Sequence, residues 1–110
     1  MEDKEIKRGD VFWVDVPAFT RHVAQKIRPC VVISNDRANK TDNNIMVVPL
    51  THSIKRLDLA CNVMVDSLHS VAKCNTVMTV GREQILSKYS EVTQWELQHI
   101  SAAVATHICG

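Results

Sequence analysis

The 110-residue chain has no run approaching about 18 consecutive apolar residues, and its first residues, MEDKEIK, are polar. Neither a membrane-spanning helix nor a secretory signal is expected, and the chain reads as cytoplasmic. Glycine and proline are scarce, three of each, and 45% apolar with 23% charged residues excludes a collagen-like or disordered chain. There is no internal repeat, low-complexity run or linker. The four cysteines, Cys30, Cys61, Cys74 and Cys109, are too widely spaced for a zinc knuckle or a redox pair. They are expected to be reduced and mostly buried, with Cys109 near the terminus exposed. A net charge of +1 excludes a grossly basic nucleic-acid binder.

What is present fits one domain over residues 1–110. A domain this small buries only about 65% of its unfolded surface, so a large concave functional surface needs a second subunit. The charge is uneven. Between residues 20 and 40 stand Arg21, Lys26, Arg28, Arg37 and Lys40 against Asp36 alone, which makes that stretch the candidate anion site.

Residues 10–16 (DVFWVDV) are β-branched and aromatic and stop at Pro17, so they read as a strand, apolar on both faces as in a small barrel. Residues 17–27 lose this pattern and form a loop too long and too poor in glycine for a tight hairpin. Pro29 then biases Arg28 toward an extended backbone ahead of a second strand over 30–34. Arg28 is therefore expected where a loop meets the sheet. The Asn- and Asp-rich residues 35–44 read as a turn. A third strand over 45–51 carries Pro49 near its end and presents the Thr51 hydroxyl at its terminus. Further short strands are expected over 59–65 and 71–80, with a helical turn over 82–88. Thr93 and Glu96 form a capping box before a helix whose Leu97, Ile100, Val104 and Ile108 share a face. Trp95, like Leu97 and Ile100, is expected in the core. His52, His69, His99 and His107 show no chelating spacing. Strands followed by one terminal helix give an α+β fold, a small, strongly bent antiparallel β-barrel with a C-terminal helix.

Three segments in this order, RGDVFWVD over 8–15, RPCVVISND over 28–36 and VPLT over 48–51, resemble the MazF/PemK toxins of type II toxin-antitoxin pairs. A weaker match runs from Ser70 into the terminal helix, so the resemblance covers nearly the whole chain. It implies an SH3-like or CcdB-like barrel, a homodimer, and a metal-independent, cofactor-free endoribonuclease that cuts single-stranded RNA at short sequences. In such a reaction the ribose 2′-OH attacks the neighbouring phosphorus, giving a 2′,3′-cyclic phosphate and a 5′-OH. The protein then supplies a proton acceptor, a proton donor and cations around the phosphorane. By resemblance, Arg28 neutralises the phosphate, Thr51 holds a phosphate oxygen and His22 transfers protons. Arg21, Lys26, Lys55, Arg56, Lys73 and Asn75 are candidate RNA contacts. The implied inhibitor is an antitoxin, a small DNA-binding protein whose acidic, disordered tail folds along the same surface.

The sequence departs from the family at several positions, among them Met78, where the family's strand carries an arginine. Many members carry an acid and a glycine before the arginine, where this chain has RHVAQKI over 21–27; PemK-type members pair an arginine with an aspartate two residues on, where it has Lys73 and Asn75. Asn75 cannot accept a proton. Two other readings stand beside the nuclease: a catalytically weak or dead module that binds RNA or antitoxin, and a CcdB-like gyrase-binding toxin. The chain ends in ICG rather than the Trp-Gly-Ile of CcdB-type toxins, which argues against the last.

Overall fold

A computed structural model describes residues 5–16, 26–52 and 62–109 of the chain. Seven strands and two helices follow in the order β1 (Asp10–Val16), β2 (Lys26–Val32), α1 (Asp36–Thr41), β3 (Asn44–Thr51), β4 (Asn62–Val65), β5 (Ser70–Lys73), β6 (Met78–Gly81), β7 (Ile85–Glu91) and α2 (Gln94–Cys109). The strands make one antiparallel sheet in the order β4-β5-β3-β2-β1-β7, with β6 also on β3. It is bent and barrel-like without closing. β3 is its spine: residues 44–47 pair with β6, and Leu50 and Thr51 pair with β5. Pro49, which has no N–H to give, falls where that edge passes from one partner to the other.

Because neighbouring side chains in a strand point to opposite faces, the apolar runs of β1, β2 and β3 build two cores at once. Phe12, Val14, Val16, Cys30, Val32, Ile45 and Val47 fill the inner, concave face. Val11, Val31, Val48 and Leu50 point outward and are covered by Ile100 and Val104 of α2.

The Arg8-Gly9-Asp10 segment locks the start of β1 to the rest of the fold. Gly9 adopts φ +95°, and a Cβ there would stand 3.3 Å from Leu97. Its N–H donates to the Val32 carbonyl at 2.8 Å, and its carbonyl accepts from Val92 N–H at 3.0 Å. The buried Asp10 carboxylate accepts from Lys7 N–H at 3.0 Å and pairs with Lys88 at 3.3 Å. The Arg8 guanidinium donates to the Ile33 carbonyl and to Ser101 on α2.

Four local readings of the sequence are corrected. Residues 35–44 hold helix α1, because the Asn35 side chain accepts from Ala38 N–H at 2.8 Å as an N-cap and Arg82 donates to the carbonyls of Asn39 and Asp42 at the other end. The expected helical turn over 82–88 is one 3-10 turn, Arg82–Gln84, followed by β7. β2 begins at Lys26, so Arg28 lies within a strand and not at its margin. Trp95 is 60% exposed and stacks on His99 at 3.8 Å, because the inward stripe of α2 is Leu97, Ile100 and Val104. The Ile108 side chain lies outside the described residues.

The capping box forms as expected: Thr93 N–H donates to Glu96 at 2.9 Å and Glu96 N–H to the Thr93 hydroxyl at 3.1 Å. Glu96 also accepts from the Ser67 N–H and hydroxyl at 3.0 and 2.8 Å, tying α2 to the chain after β4. Burial works to raise the Glu96 pKa, but these hydrogen bonds outweigh it and hold the carboxyl below its ordinary value. A depressed native pKa adds stability above the unfolded-state value and loses it as pH falls through the native one. Glu96→Gln is therefore expected to destabilise the fold by about 1–3 kcal/mol at pH 7. The difference in melting temperature from the parent should shrink as pH is lowered below the carboxylate range, which thermal unfolding followed by circular dichroism at pH 7 and pH 3.5 checks.

Candidate active site

The inner face of β2 carries Cys30 and Val32 in the core, so the same alternation puts Arg28 and Lys26 on that face at its open end. The pairing agrees: Arg28 lies opposite Val14 and Lys26 opposite Val16, both inner-core residues of β1. Arg28 is half-buried and Lys26 exposed. Burial pushes the Cys30 thiol up to about 12, while the positive charge of Arg28 acts in the opposite direction.

β2 and β3 pair Val31 with Val48 and Cys30 with Pro49. The pairing ends there, and strand alternation puts Thr51 on the same inner face as Arg28. On its other side Thr51 pairs with Val71 of β5, whose inner face continues to Lys73. Lys73 in turn pairs with Asn62 of β4. Arg28, Thr51, Lys73 and Asn62 therefore share one face across four adjacent strands. Asn75 is exposed in the turn after β5, where the Thr76 hydroxyl donates to its side-chain oxygen at 3.1 Å.

No carboxylate among the described residues forms an ion pair with Arg28, Lys26 or Lys73. Asp15, the nearest acid along β1, pairs with Ile27 and so points to the outer face. The arrangement is a cationic face with one hydroxyl at the mouth of the inner core, suited to holding a phosphodiester. Among the described residues no three His, Cys, Asp or Glu side chains cluster so as to hold a metal ion. His52 follows Thr51 but turns away, its Nδ1 lying 3.3 Å from the His69 carbonyl and 3.4 Å from the Ser70 hydroxyl. A cleft of about 670 Å³ lies at the α1 end of the sheet, away from Arg28. Its lining charges, Glu5, Lys7, Asp36, Lys40, Asp42 and Arg82, alternate in sign and favour no single kind of ion.

Of the residues singled out in the sequence, Arg28, Thr51, Lys26 and Lys73 come together on one face, and Asn75 stands beside it. His22, Arg21, Lys55 and Arg56 lie outside the described residues. Asn62 was missed. The only sequence signal for it was a polar residue with low strand propensity inside an otherwise apolar run.

The model of the PemK-like, MazF-like toxin of type II toxin-antitoxin systems matches residues 7–108. The chain belongs to this family. The endoribonuclease MazF9 of Mycobacterium tuberculosis is 27% identical over 113 aligned positions, covering 94% of this chain and 96% of the relative. Among solved structures, MazF from Deinococcus radiodurans superimposes with a TM-score of 0.83 at 15% identity, over 96% of this chain and 98% of that one. A mycobacterial endoribonuclease in complex with its cognate antitoxin superimposes with a TM-score of 0.79 at 22% identity, over 94% of each chain. At these identities the superpositions speak to the fold: a bent antiparallel sheet with a C-terminal helix.

Within this toxin the family's Arg-Pro dipeptide places Arg28 on the open face and Pro29 opposite Trp13 on the other. Cys30, next on the inner row, is packed in the core. With a pKa of about 12, the fraction of Cys30 present as reactive thiolate at pH 8 is about 10⁻⁴. Iodoacetamide at pH 8 is expected to leave Cys30 and the buried Cys74 unmodified in the folded protein and to modify both in guanidinium chloride, as read by peptide mass mapping.

Proposed function

We propose that this toxin is an endoribonuclease that cuts single-stranded RNA without a metal ion. The observation that carries the reading is Arg28, half-buried at the mouth of the inner core, on the same face as Thr51 and paired with no described carboxylate. A guanidinium so placed can present its fork of donors to the equatorial oxygens of a phosphorane, where charge builds up.

The substrate brings its own nucleophile. As the 2′-oxygen forms its bond to phosphorus, the P–O5′ bond breaks. One proton leaves the 2′-OH and one is delivered to O5′, so the products are a 2′,3′-cyclic phosphate and a 5′-OH. Arg28 neutralises the phosphorane, and the Thr51 hydroxyl donates to one of its oxygens. Lys26 and Lys73 add positive potential along the path of the strand, and Asn75 offers a neutral amide beside it. His22 is the group for proton transfer, since the strand positions at this end of the inner face carry no acid and an imidazole titrates near pH 6.5 or so. Arg21, Lys55 and Arg56 extend the cationic surface in the segments flanking the site.

The antitoxin acts by occupying the same face: an acidic tail is drawn to Lys26, Arg28 and Lys73 and excludes RNA. A homodimer lengthens the groove beyond what one small subunit provides, and the toxin works in the cytoplasm. Asn75, in place of a catalytic acid, favours one alternative, a module that binds RNA or antitoxin without cutting.

Incubating the toxin with mixed single-stranded RNA in EDTA, followed by mapping of the ends, separates the two. Cleavage with cyclic phosphate ends supports the nuclease, and retention without cleavage supports the binding module. Arg28→Ala is expected to lower the cleavage rate by about 10²- to 10³-fold and Thr51→Ala by about tenfold, with the fold intact. The pH-rate profile should lose one limb in His22→Ala. Cleavage unchanged by Arg28→Ala would remove the mechanism.

A further inference from the structure

β4 lies at the edge of the sheet and shows its two faces to different surroundings. Val65 is buried in the outer core and Val63 packs against it, so this side of the strand faces α2. Asn62 and Met64 alternate with them and point the other way, toward the face that holds Lys73, Thr51 and Arg28. Both are half-buried. Asn62 stands directly across from Lys73, and Met64 across from Val71, which itself pairs with Thr51.

The distance from the phosphate-binding residues limits what this end of the face can touch. β2, β3, β5 and β4 are successive neighbours and Asn62 lies two residues along from the Thr51 row, so Asn62 is about 16 Å from Arg28 along the sheet. That is too far for the scissile phosphate itself and suits a flanking nucleotide of the same strand. The chemistry also changes across the face, from guanidinium and hydroxyl at Arg28 and Thr51 to a carboxamide, a thioether and one ammonium at Asn62, Met64 and Lys73. A carboxamide has a donor and an acceptor side by side and reads a base edge, whereas it contributes little to a phosphate. A partly exposed thioether gives an adaptable apolar floor for a base that has left its stack.

We propose that Asn62 is a specificity-determining residue of this toxin: it hydrogen-bonds the edge of one unstacked base flanking the cleaved bond, with Met64 beneath the base and Lys73 holding the adjoining phosphate. The inference rests on the nuclease reading and adds where on the sheet sequence is read. It predicts that base preference and cleavage chemistry are separable, since the carboxamide and the guanidinium stand on strands at opposite ends of the face.

The test compares the cleavage motifs of the parent, Asn62→Ala and Asn62→Asp on a pool of randomised single-stranded RNA, with sequencing of the ends. Thermal melts verify that the variants fold. Asn62→Ala is expected to reduce discrimination at one base position about tenfold, while the rate on the best substrate changes severalfold at most. Asn62→Asp, which replaces donors by acceptors, is expected to shift the preferred base at that same position. A parent that cuts with a defined motif and variants that keep the motif unchanged overturn the proposal and leave the nuclease reading standing. A parent that does not cut overturns both. Loss of cutting at every motif in folded Asn62→Ala would place Asn62 in the chemistry and also overturn the role assigned here.

Discussion

The pleat of β2 is the constraint on which this molecule depends. Its inner row is Lys26, Arg28, Cys30 and Val32, two residues in water or at its margin and two in the core. Burial of Cys30 and Val32 opposite Phe12 and Val47 sets the register, and that register leaves Arg28 no choice of face. A slip by one residue would turn the guanidinium outward and bring Ile27 in. The packing energy of the core therefore aims the cation, and no hydrogen bond to the side chain is needed to hold the strand.

The two ends of the sheet serve different purposes. At one end the Arg8-Gly9-Asp10 segment and the caps of α1 satisfy charges internally. Asp10 has Lys88, and Arg82 has the carbonyls of α1. At the other end Lys26, Arg28 and Lys73 have no described carboxylate beside them. Polar groups satisfied within the protein stabilise the fold, whereas cations with no described carboxylate beside them suit an anionic ligand. An RNA strand and an acidic tail are both ligands of that kind.

Much of this was legible in the chain itself. β1 begins and ends where its composition says, the capping box of α2 forms between the two residues that spell it, and the shared motifs find Arg28 and Thr51. The misreadings have separate physical causes. Residues 35–44 look like a turn, and they become a helix because Arg82, far along the sequence, caps the far end. Residues 85–88 look helical after Gly81 and are drawn into a strand by the free edge of β1. Trp95 looks like core, but helical periodicity had already filled the inward stripe with Leu97, Ile100 and Val104. Asn62 was hidden because its face is decided by pairing with β5, which no local pattern records.

The loss of the family's acid at position 75 bears on what kind of catalyst this toxin is. Charge neutralisation and proton transfer make separate demands on a ribonuclease. On the proposed reading, Arg28 and Lys73 on the strands meet the first, and the second falls to His22, which lies outside the described residues.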